Sequence, residues 1–140
     1  MIREIFKSDL TDDYFLLLSQ LSGTLTDYSV YNMWEAYLKG SSKTYICINN
    51  DNQITGSATV IIEDKFLRCG SKVGHIEDVV VDKSLRSKGT GRSLIDKCVE
   101  VAKEQGCYKV ILDCSKENFL FYAKCGFRTD AFCMRIDTKE

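Results

Sequence analysis

Hydrophobic residues recur along this chain with two periods, and the change from one to the other predicts the order of its strands and helices. Residues 1–6 alternate as a short strand does, and apolar residues at helical spacing then predict helices over 14–21 and through 30–38. Residues that commonly cap helices precede both segments: Ser8 or Asp9 before the first, and Thr26 or Asp27 before the second. We therefore predict one strand and two helices before Gly40.

After Gly40 the apolar period shortens to two residues, which is typical of strands. This pattern predicts strands at 44–48, 54–63, 75–82, 108–114 and 132–136, with residues 65–68 as a continuation of the second. Apolar residues at helical spacing predict a long helix at 93–105 and a short one at 118–124. The runs at 79–81 and 110–112 are apolar without alternation, so we expect the strands that contain them, at 75–82 and 108–114, to be buried.

The order of these elements predicts the fold class. Hairpin strands joined by the turn 49–52 come first, and the long helix then connects two strands that a right-handed crossover would set parallel. We expect an α/β fold with a central mixed sheet, antiparallel in its first half and parallel in its second, flanked by helices. Because 140 residues suffice for one core, we expect residues 1–140 to form a single domain.

Composition narrows the classes of function. The formal net charge is −1 and charges of both signs are interspersed, so no overall charge favours binding to nucleic acid or to an anionic membrane. No apolar run reaches the roughly 20 residues that span a bilayer, and no signal-peptide pattern opens the chain. The 7 cysteines are scattered and there is 1 histidine, which argues against a disulfide framework or a metal site. We expect a cytoplasmic protein that uses no metal.

The glycine-containing segment at residues 86–92, RSKGTGR, lies between a predicted buried strand and a predicted helix. Unpaired backbone amides at the start of a helix carry partial positive charge and favour a phosphate group. Glycine lets such a ligand approach the backbone closely. The segment lacks the G-x-x-x-x-G-K-[ST] and G-x-G-x-x-G patterns of two common phosphate-binding loops. Two interpretations of this segment stay open: a plain strand-to-helix turn and a pyrophosphate-binding site. The flanking strand and helix favour the pyrophosphate-binding site.

Two ordered motifs resemble those of a known superfamily. RSKGTG at 86–91 is similar to the [RQ]-x-x-G-x-[GA] acetyl-coenzyme A loop of the GNAT superfamily of N-acetyltransferases, and NFLFYAKCGF at 118–127 is similar to its tyrosine-containing segment. IIEDKFLR at 61–68, GHIEDVVV at 74–81 and CYKVILDC at 107–114 resemble one family within it. That family is the glucosamine 6-phosphate N-acetyltransferases of hexosamine and UDP-N-acetylglucosamine biosynthesis. The resemblance covers residues 54–127 well and the first part of the chain loosely.

The resemblance implies acetyl-coenzyme A as the cosubstrate. Its pantetheine arm would pair with the backbone of residues 79–81, as an added strand does. The residues implied in binding it are Val79, Val80, Val81, Arg86, Ser87, Lys88, Gly89, Thr90, Gly91, Arg92, Asn118 and Tyr122.

Acetyl transfer needs an unprotonated amine, a polarised thioester and a proton for the departing thiolate. The resemblance implies that Tyr122 gives a proton or a hydrogen bond to the sulfur, and that Asp113 binds the substrate, its carbonyl oxygen accepting from the amine. Glu77 is the third catalytic candidate, for binding sugar hydroxyls or for deprotonation. Because Glu77 and Asp78 alternate along a strand, we expect only one of them to face the sugar. The expected reaction is direct attack in a ternary complex.

The phosphate of the acceptor requires a cationic site. The substrate-binding residues implied by the resemblance are Ser22, Lys65, Phe66, Leu67, Arg68, Glu77, Asp78, Val79, Asp113 and Arg135. The resembled family is homodimeric with shared active sites, and a basic residue near one C-terminus reaches the partner. Arg135 corresponds to that residue, in a shorter tail with an acid at Asp137. We therefore expect a homodimer.

Other interpretations stay open at this point. The chain could acetylate another amine, such as a protein N-terminus or a polyamine, or it could bind acyl-coenzyme A without catalysing transfer. Cys114 and Cys125 have no histidine partner in sequence context and are interpreted as structural thiols. His75 is interpreted as a packing or hydrogen-bonding residue, and Trp34 as part of the core.

Overall fold

A computed structural model of the chain describes residues 1–23, 29–85 and 89–139. In these residues five strands form one sheet in the order β1-β2-β3-β4-β5. Their bounds are Ile2–Glu4 (β1), Ser42–Ile48 (β2), Ile54–Asp64 (β3), Lys72–Val81 (β4) and Cys107–Ile111 (β5). Neighbouring strands are antiparallel from β1 to β4, and β5 runs parallel to β4. The predicted mixed sheet is confirmed.

Helices flank this sheet on both faces. The described helices are Asp12–Ser19 (α1), Val30–Lys39 (α2), Thr90–Glu104 (α3) and Phe119–Lys124 (α4), with 3-10 turns at Lys7–Asp9, Lys83–Leu85 and Lys116–Asn118. The caps differ from those predicted: the Thr11 hydroxyl accepts from the Tyr14 amide at 3.4 Å, and the Ser29 hydroxyl accepts from the Asn32 amide at 3.2 Å. The predicted caps Thr26 and Asp27 lie outside the described residues.

One face of the sheet is covered by α1 and α2 over the first three strands, and α1 also contacts β4. Ile46 of β2 is fully buried there, and Trp34 of α2 packs against the same cluster. Trp34 also stacks on Tyr37 with 5.1 Å between ring centroids, which confirms that it is a core residue. The hydroxyls of Tyr14 and Ser57 pair at 3.0 Å, so these two buried polar groups have partners.

The opposite face is covered by α3, whose apolar stripe consists of Leu94, Ile95, Cys98, Val101 and Ala102. This stripe packs on Val60 of β3 and Ile76 of β4. The sequence predicted the stripe correctly but placed the start of the helix at Ser93. The helix begins at Thr90 because Gly89 adopts a left-handed conformation, with φ at 76°, and so starts the first turn earlier.

Two of the predicted strand segments at the ends of β3 and β5 are wrong. β3 ends at Asp64, and residues 65–68 do not continue it because Arg68 and Cys69 adopt left-handed conformations with φ at 52° and 59°. β5 ends at Ile111 rather than residue 114, and it is the edge strand of the sheet. Tyr108 in this strand is exposed, so β5 is not buried on both faces as its apolar sequence suggested.

The last predicted strand, at residues 132–136, is also wrong. No described strand pairs with this segment, so its alternating sequence has no neighbour against which to form a ladder. Its apolar side chains are almost fully exposed: Phe132 at 95%, Met134 at 93% and Ile136 at 87%.

Candidate active site

The functional residues predicted from the sequence lie near the point where β4 and β5 separate. The two strands pair from Lys72 opposite Cys107 as far as His75 opposite Ile111. β4 continues to Val81 and remains paired with β3 on its other side, whereas no further described pair joins it to β5. One backbone edge of residues 76–81 is therefore open, and an extended ligand can pair with such an edge as an added strand.

A β-bulge at Asp78 changes the direction of the side chains along this open edge. The register shifts between Ser57, opposite Val80, and Thr59, opposite Glu77, so β4 has one residue more than β3 here. Asp78 has φ at 52°, a left-handed conformation that residues other than glycine seldom adopt. Glu77 and Asp78 are both exposed. The strict alternation from which we expected only one of them to face the sugar is interrupted by the bulge.

Three carboxylates interact at this opening. Partial burial raises the pKa of Glu77, the negative charges of Asp113 and Asp78 raise it further, and His75 opposes them. Asp113 follows the end of β5, on the strand next to Glu77. A partly desolvated carboxylate close to like charges is suited to accept a proton near neutral pH. The structure thus brings together Glu77, Asp78 and Asp113.

Tyr122 of α4 is half-buried close to the same strand ends. Burial raises the pKa of its hydroxyl, and the nearby thiols of Cys114 and Cys125 raise it further, so the hydroxyl keeps its proton at neutral pH. The neighbouring Phe121 packs against the first turn of α3, where a Cβ on Gly91 would lie 3.1 Å from the ring. This contact holds α4, and with it a protonated hydroxyl, beside the start of α3.

The glycine turn leads into a helix end that no side chain caps. Gly89 is the N-cap of α3, and residues 90–92 form its first turn. A Cβ on Gly91 would lie 3.6 Å from Val81, so this turn is in contact with the end of β4. The amides of such a turn have no intrahelical partners and favour an anion. Arg86, Ser87 and Lys88 lie outside the described residues.

The predicted cationic residues do not lie together in one chain. Lys65 Nζ is 3.0 Å from Glu63 Oε1, on the strand beside β4. Arg68 lies at the opposite end of β4 from Glu77, with its guanidinium 4.5 Å from the ring centre of Tyr108. The Arg135 side chain instead binds Asp137, at 2.7 Å from Nε to Oδ1, and both are exposed. Of these three cations, Lys65 is the one whose partner, Glu63, also approaches β4.

The remaining predicted contacts have varied surroundings. Val79 packs against the cluster under α3, so its side chain points away from the open face and only its backbone is available. Phe66 and Leu67 are exposed in the left-handed turn, and Ser22 is exposed after α1. Asn118 precedes α4, and its side chain does not cap that helix.

Cys133 and His75 lie at the opening but were not among the predicted site residues. The Cys133 thiol donates to Asp113 Oδ2 at 3.2 Å, a contact across 20 residues that no local pattern indicates, and this hydrogen bond raises the pKa of the thiol. His75 Nε2 lies 3.6 Å from Glu63 Oε2. The period-2 alternation of β4 already places His75 on the same face as Glu77 and could have found it.

Two pockets of the described structure lie away from this opening, and both are partly open to solvent. One of about 350 Å³ is lined by Tyr37, Lys43, Asp64 and Lys72, and one of about 490 Å³ lies between α1 and the β2–β3 hairpin. All seven cysteines are free, and the described residues contain no group of three His, Cys, Asp or Glu that could hold a metal ion. None of the described helices is both long and apolar enough to cross a membrane.

Comparison with known proteins gives consistent matches. The profile of the acetyltransferase (GNAT) family matches residues 3–127. The glucosamine 6-phosphate N-acetyltransferase of Arabidopsis thaliana is 39% identical over 138 residues, which cover 95% of this chain and 93% of the relative. A crystal structure of that Arabidopsis enzyme superimposes with a TM-score of 0.90 at 36% identity, covering 99% of this chain and 98% of the other. A Trypanosoma brucei acetyltransferase superimposes with a TM-score of 0.88 at 39% identity, covering 98% of both chains.

Proposed function

This chain belongs to the acetyltransferase (GNAT) family, and we propose that it acetylates the amine of glucosamine 6-phosphate, using acetyl-coenzyme A and releasing coenzyme A. The relatives that match nearly all of the chain carry the name of this activity. The observation that carries the proposal is the opening between β4 and β5, where Glu77 interacts with Asp113, while Tyr122 lies close to Cys114, the residue after Asp113. These groups meet the needs of acetyl transfer to an amine.

The open edge of β4 and the start of α3 fit the shape of acetyl-coenzyme A. Members of this family use it as cosubstrate, and when bound it supplies the acetyl group as a thioester. The unpaired backbone of residues 79–81 is suited to the amide-containing pantetheine arm. The uncapped amides of residues 90–92 are suited to the pyrophosphate, and Arg92 adds a positive charge there. Arg86, Ser87, Lys88, Gly89 and Asn118 complete the proposed set of contacts.

The carboxylates and the tyrosine divide the proton transfers between them. Glu77 accepts a proton from the substrate ammonium, which frees the lone pair for direct attack in a ternary complex. Asp113 positions the amine, and Asp78 binds sugar hydroxyls beside it. Tyr122, whose raised pKa keeps its hydroxyl protonated, donates to the departing sulfur. No covalent acyl-enzyme is required. Cys125 packs against the cluster under α3, whereas Cys114 is exposed and is not the buried structural thiol that was predicted.

The phosphate of the sugar needs a cation on the same face as Glu77. Lys65 is the best placed in its own chain, because it binds Glu63, which also approaches His75. We propose that Arg135 comes from a second copy of the chain, in a homodimer with shared active sites. The exposed apolar side chains of the 132–136 segment and the unpaired outer edge of β5 support such a pairing.

Two further proposals concern the protein as a whole. We propose that residues 1–140 are a single catalytic domain, because both core clusters lie on one sheet. We also propose that it acts in the cytoplasm, because seven free cysteines suit a reducing compartment.

A thiol-trapping assay of coenzyme A release tests the substrate. We expect turnover with glucosamine 6-phosphate, a much higher KM with glucosamine, and no turnover with spermidine or a peptide N-terminus. Glu77→Gln is the matched variant, since it keeps the size of the side chain and removes the proton acceptor. Turnover with spermidine or the peptide but not with the sugar phosphate would contradict the proposed substrate. Binding of coenzyme A without turnover on any of these amines would contradict the enzymatic function.

A further inference from the structure

A row of charged side chains runs across one face of the sheet towards the proposed amine site. On β4, His75 and Glu77 point to the same face, since they pair with Ile61 and Thr59 of β3. Glu63 of β3 lies beside His75, and Lys65 binds Glu63 from the end of that strand. The α1 and α2 helices cover this face over the first three strands, so the row lies at the margin of the covered area.

His75 is the least satisfied member of this row. Its Nε2 atom is buried and has no hydrogen-bond partner among the described residues. The nearest charged atom is Glu63 Oε2 at 3.6 Å, which is within ion-pair distance but beyond a good hydrogen bond. Nε2 is therefore a buried polar atom that faces the Glu63 carboxylate without a hydrogen bond, and such an unpaired atom is costly.

We propose that His75 is a positioning residue for acetyl transfer: its charged form, held by Glu63, keeps the neighbouring Glu77 carboxylate ionised in mildly acidic solution. The inference rests on the proposed function, in which Glu77 takes the proton of the substrate ammonium. His75 itself contacts neither the amine nor the thioester. It acts through the charge that it presents two residues away on the same strand face.

The charges around His75 make such a role necessary. Asp113 and Asp78 both disfavour the ionised form of Glu77, and partial burial disfavours it further. His75 acts in the opposite direction and lowers the pKa of Glu77. The groups that face His75 are Glu63 and Lys65 from β3 and its end, Glu77 from β4, and Lys109 and Asp113 from β5 and its end, with Cys133 beside Asp113. Lys65 and His75 both approach Glu63, and His75 is the one that lies on the same strand as Glu77, two residues away.

The pH dependence of kcat/KM with glucosamine 6-phosphate tests the role of this charge. In His75→Gln, which is neutral at every pH, the ratio of kcat/KM at pH 6 to its value at pH 8 should fall roughly threefold relative to the unsubstituted enzyme. In His75→Arg, which is always charged, this ratio should stay equal or rise. A merely structural role would lower activity in both variants without moving their pH profiles in opposite directions.

Coenzyme A binding by calorimetry and thermal unfolding show whether each variant is folded. The Glu77→Gln enzyme supplies the background: in it, the His75→Gln substitution should no longer change the pH 6 to pH 8 ratio. If Glu77→Gln itself keeps full activity, the proposed function of Glu77 fails, whatever His75 does. If Glu77→Gln is impaired but both His75 variants retain the original pH profile, the inference about His75 is overturned and the proposed function stands.

Discussion

The two halves of the sheet use the same kind of strand for different purposes. From β1 to β3 the strands are paired over their length, and α1 and α2 cover one face with a closed cluster that includes Ile46. From β4 to β5 the pairing stops at His75, so β4 has one open backbone edge beyond that residue, although α1 also contacts β4 on one face. Backbone groups satisfied within the first half are left available in the second. Both halves contribute to the core, since the cluster under α3 includes Val60 and Ile76, whereas the candidate chemical groups lie in the second half.

The charged groups of the two halves differ in the same way. Arg3 and Asp9 form a two-pronged ion pair at 2.8 and 2.9 Å, so each charge is compensated. Glu77, Asp78 and Asp113 are like charges, and the negative charges of Asp113 and Asp78 add to partial burial in raising the pKa of Glu77. A compensated pair stabilises the fold, whereas uncompensated carboxylates are poised to bind or accept protons.

The largest expected effect is that one substitution in each half affects a different property: stability in the first half and activity in the second. Ile46→Ala should lower the free energy of unfolding by about 3 kcal/mol, because it leaves a cavity in a fully buried site, while kcat of the folded enzyme stays within about threefold. Glu77→Gln should lower kcat/KM about 100-fold with little change in stability, because its side chain is exposed. Urea unfolding and the thiol-release assay measure both. Equal losses of stability in the two variants would break the comparison.

Tyr122→Phe tests the donor at the open half. Removal of the hydroxyl should lower kcat about 30-fold, since a hydrogen bond to a developing thiolate is lost, while packing against Phe121 and Phe127 is retained. Calorimetry should then give nearly the same affinity for coenzyme A. A matched loss of affinity would mean that the hydroxyl binds the cofactor in its ground state and does not act as the donor in transfer.

Gly89 and Gly106 share a left-handed backbone conformation, so substituting each in turn distinguishes an effect on folding from an effect on cofactor binding. Gly89 and Gly106 have φ at 76° and 82°, and a Cβ at either would meet no atom within 4 Å. Valine at either position should cost roughly 1–2 kcal/mol of stability, because side chains disfavour this conformation. Gly89→Val alone should weaken coenzyme A binding, by about tenfold, because it disturbs the start of α3. Equal weakening by Gly106→Val would remove the assignment of this turn to the cofactor.

The smallest expected effect concerns the ion pair of the covered half. The hydrogen bond and charge of Arg3 lower the pKa of Asp9, so the stabilisation is present above the ordinary pKa of a carboxyl and is lost as the pH falls through the lowered value. Asp9→Asn should therefore cost about 1 kcal/mol or less at pH 7, and the difference should shrink below pH 4. Urea unfolding at pH 7 and pH 3 measures it. A difference that persists unchanged at pH 3 would contradict the electrostatic origin.

Local sequence patterns were sufficient to predict the long helices and strands but not where each of them ends. The stripe of α3 and the hairpin of β2 and β3 follow from periodicity that persists over many residues. The segments 65–68 and 132–136 alternate as strands do but do not form strands here. A strand exists only if a neighbour pairs with it, and apolar alternation does not specify that neighbour. β5 was expected to be buried for the same reason, although it lies at the edge.

The candidate site shows the same division at the level of residues. Tyr122 and the turn at 86–92 were identified from ordered motifs, and Glu77 and Asp113 from family resemblance. The surroundings of these residues were not identified from the sequence. The bulge at Asp78 depends on the register with β3, and the contacts of His75 and Cys133 join distant segments. Burial, Asp113 and Asp78 raise the pKa of Glu77 and His75 opposes them, whereas the contact of Cys133 with Asp113 leaves no signal in local composition.

The sequence by itself determined the family, the order of strands and helices, and the residue types available for acetyl transfer. Those properties depend on periodicity and short motifs, which are local in the chain. Only the tertiary structure decided that β4 separates from β5 after His75, that Glu77 and Asp78 are both exposed, and that Glu63 approaches His75. These depend on pairing between strands that are remote in sequence, where a shift of one residue changes which side chains share a face.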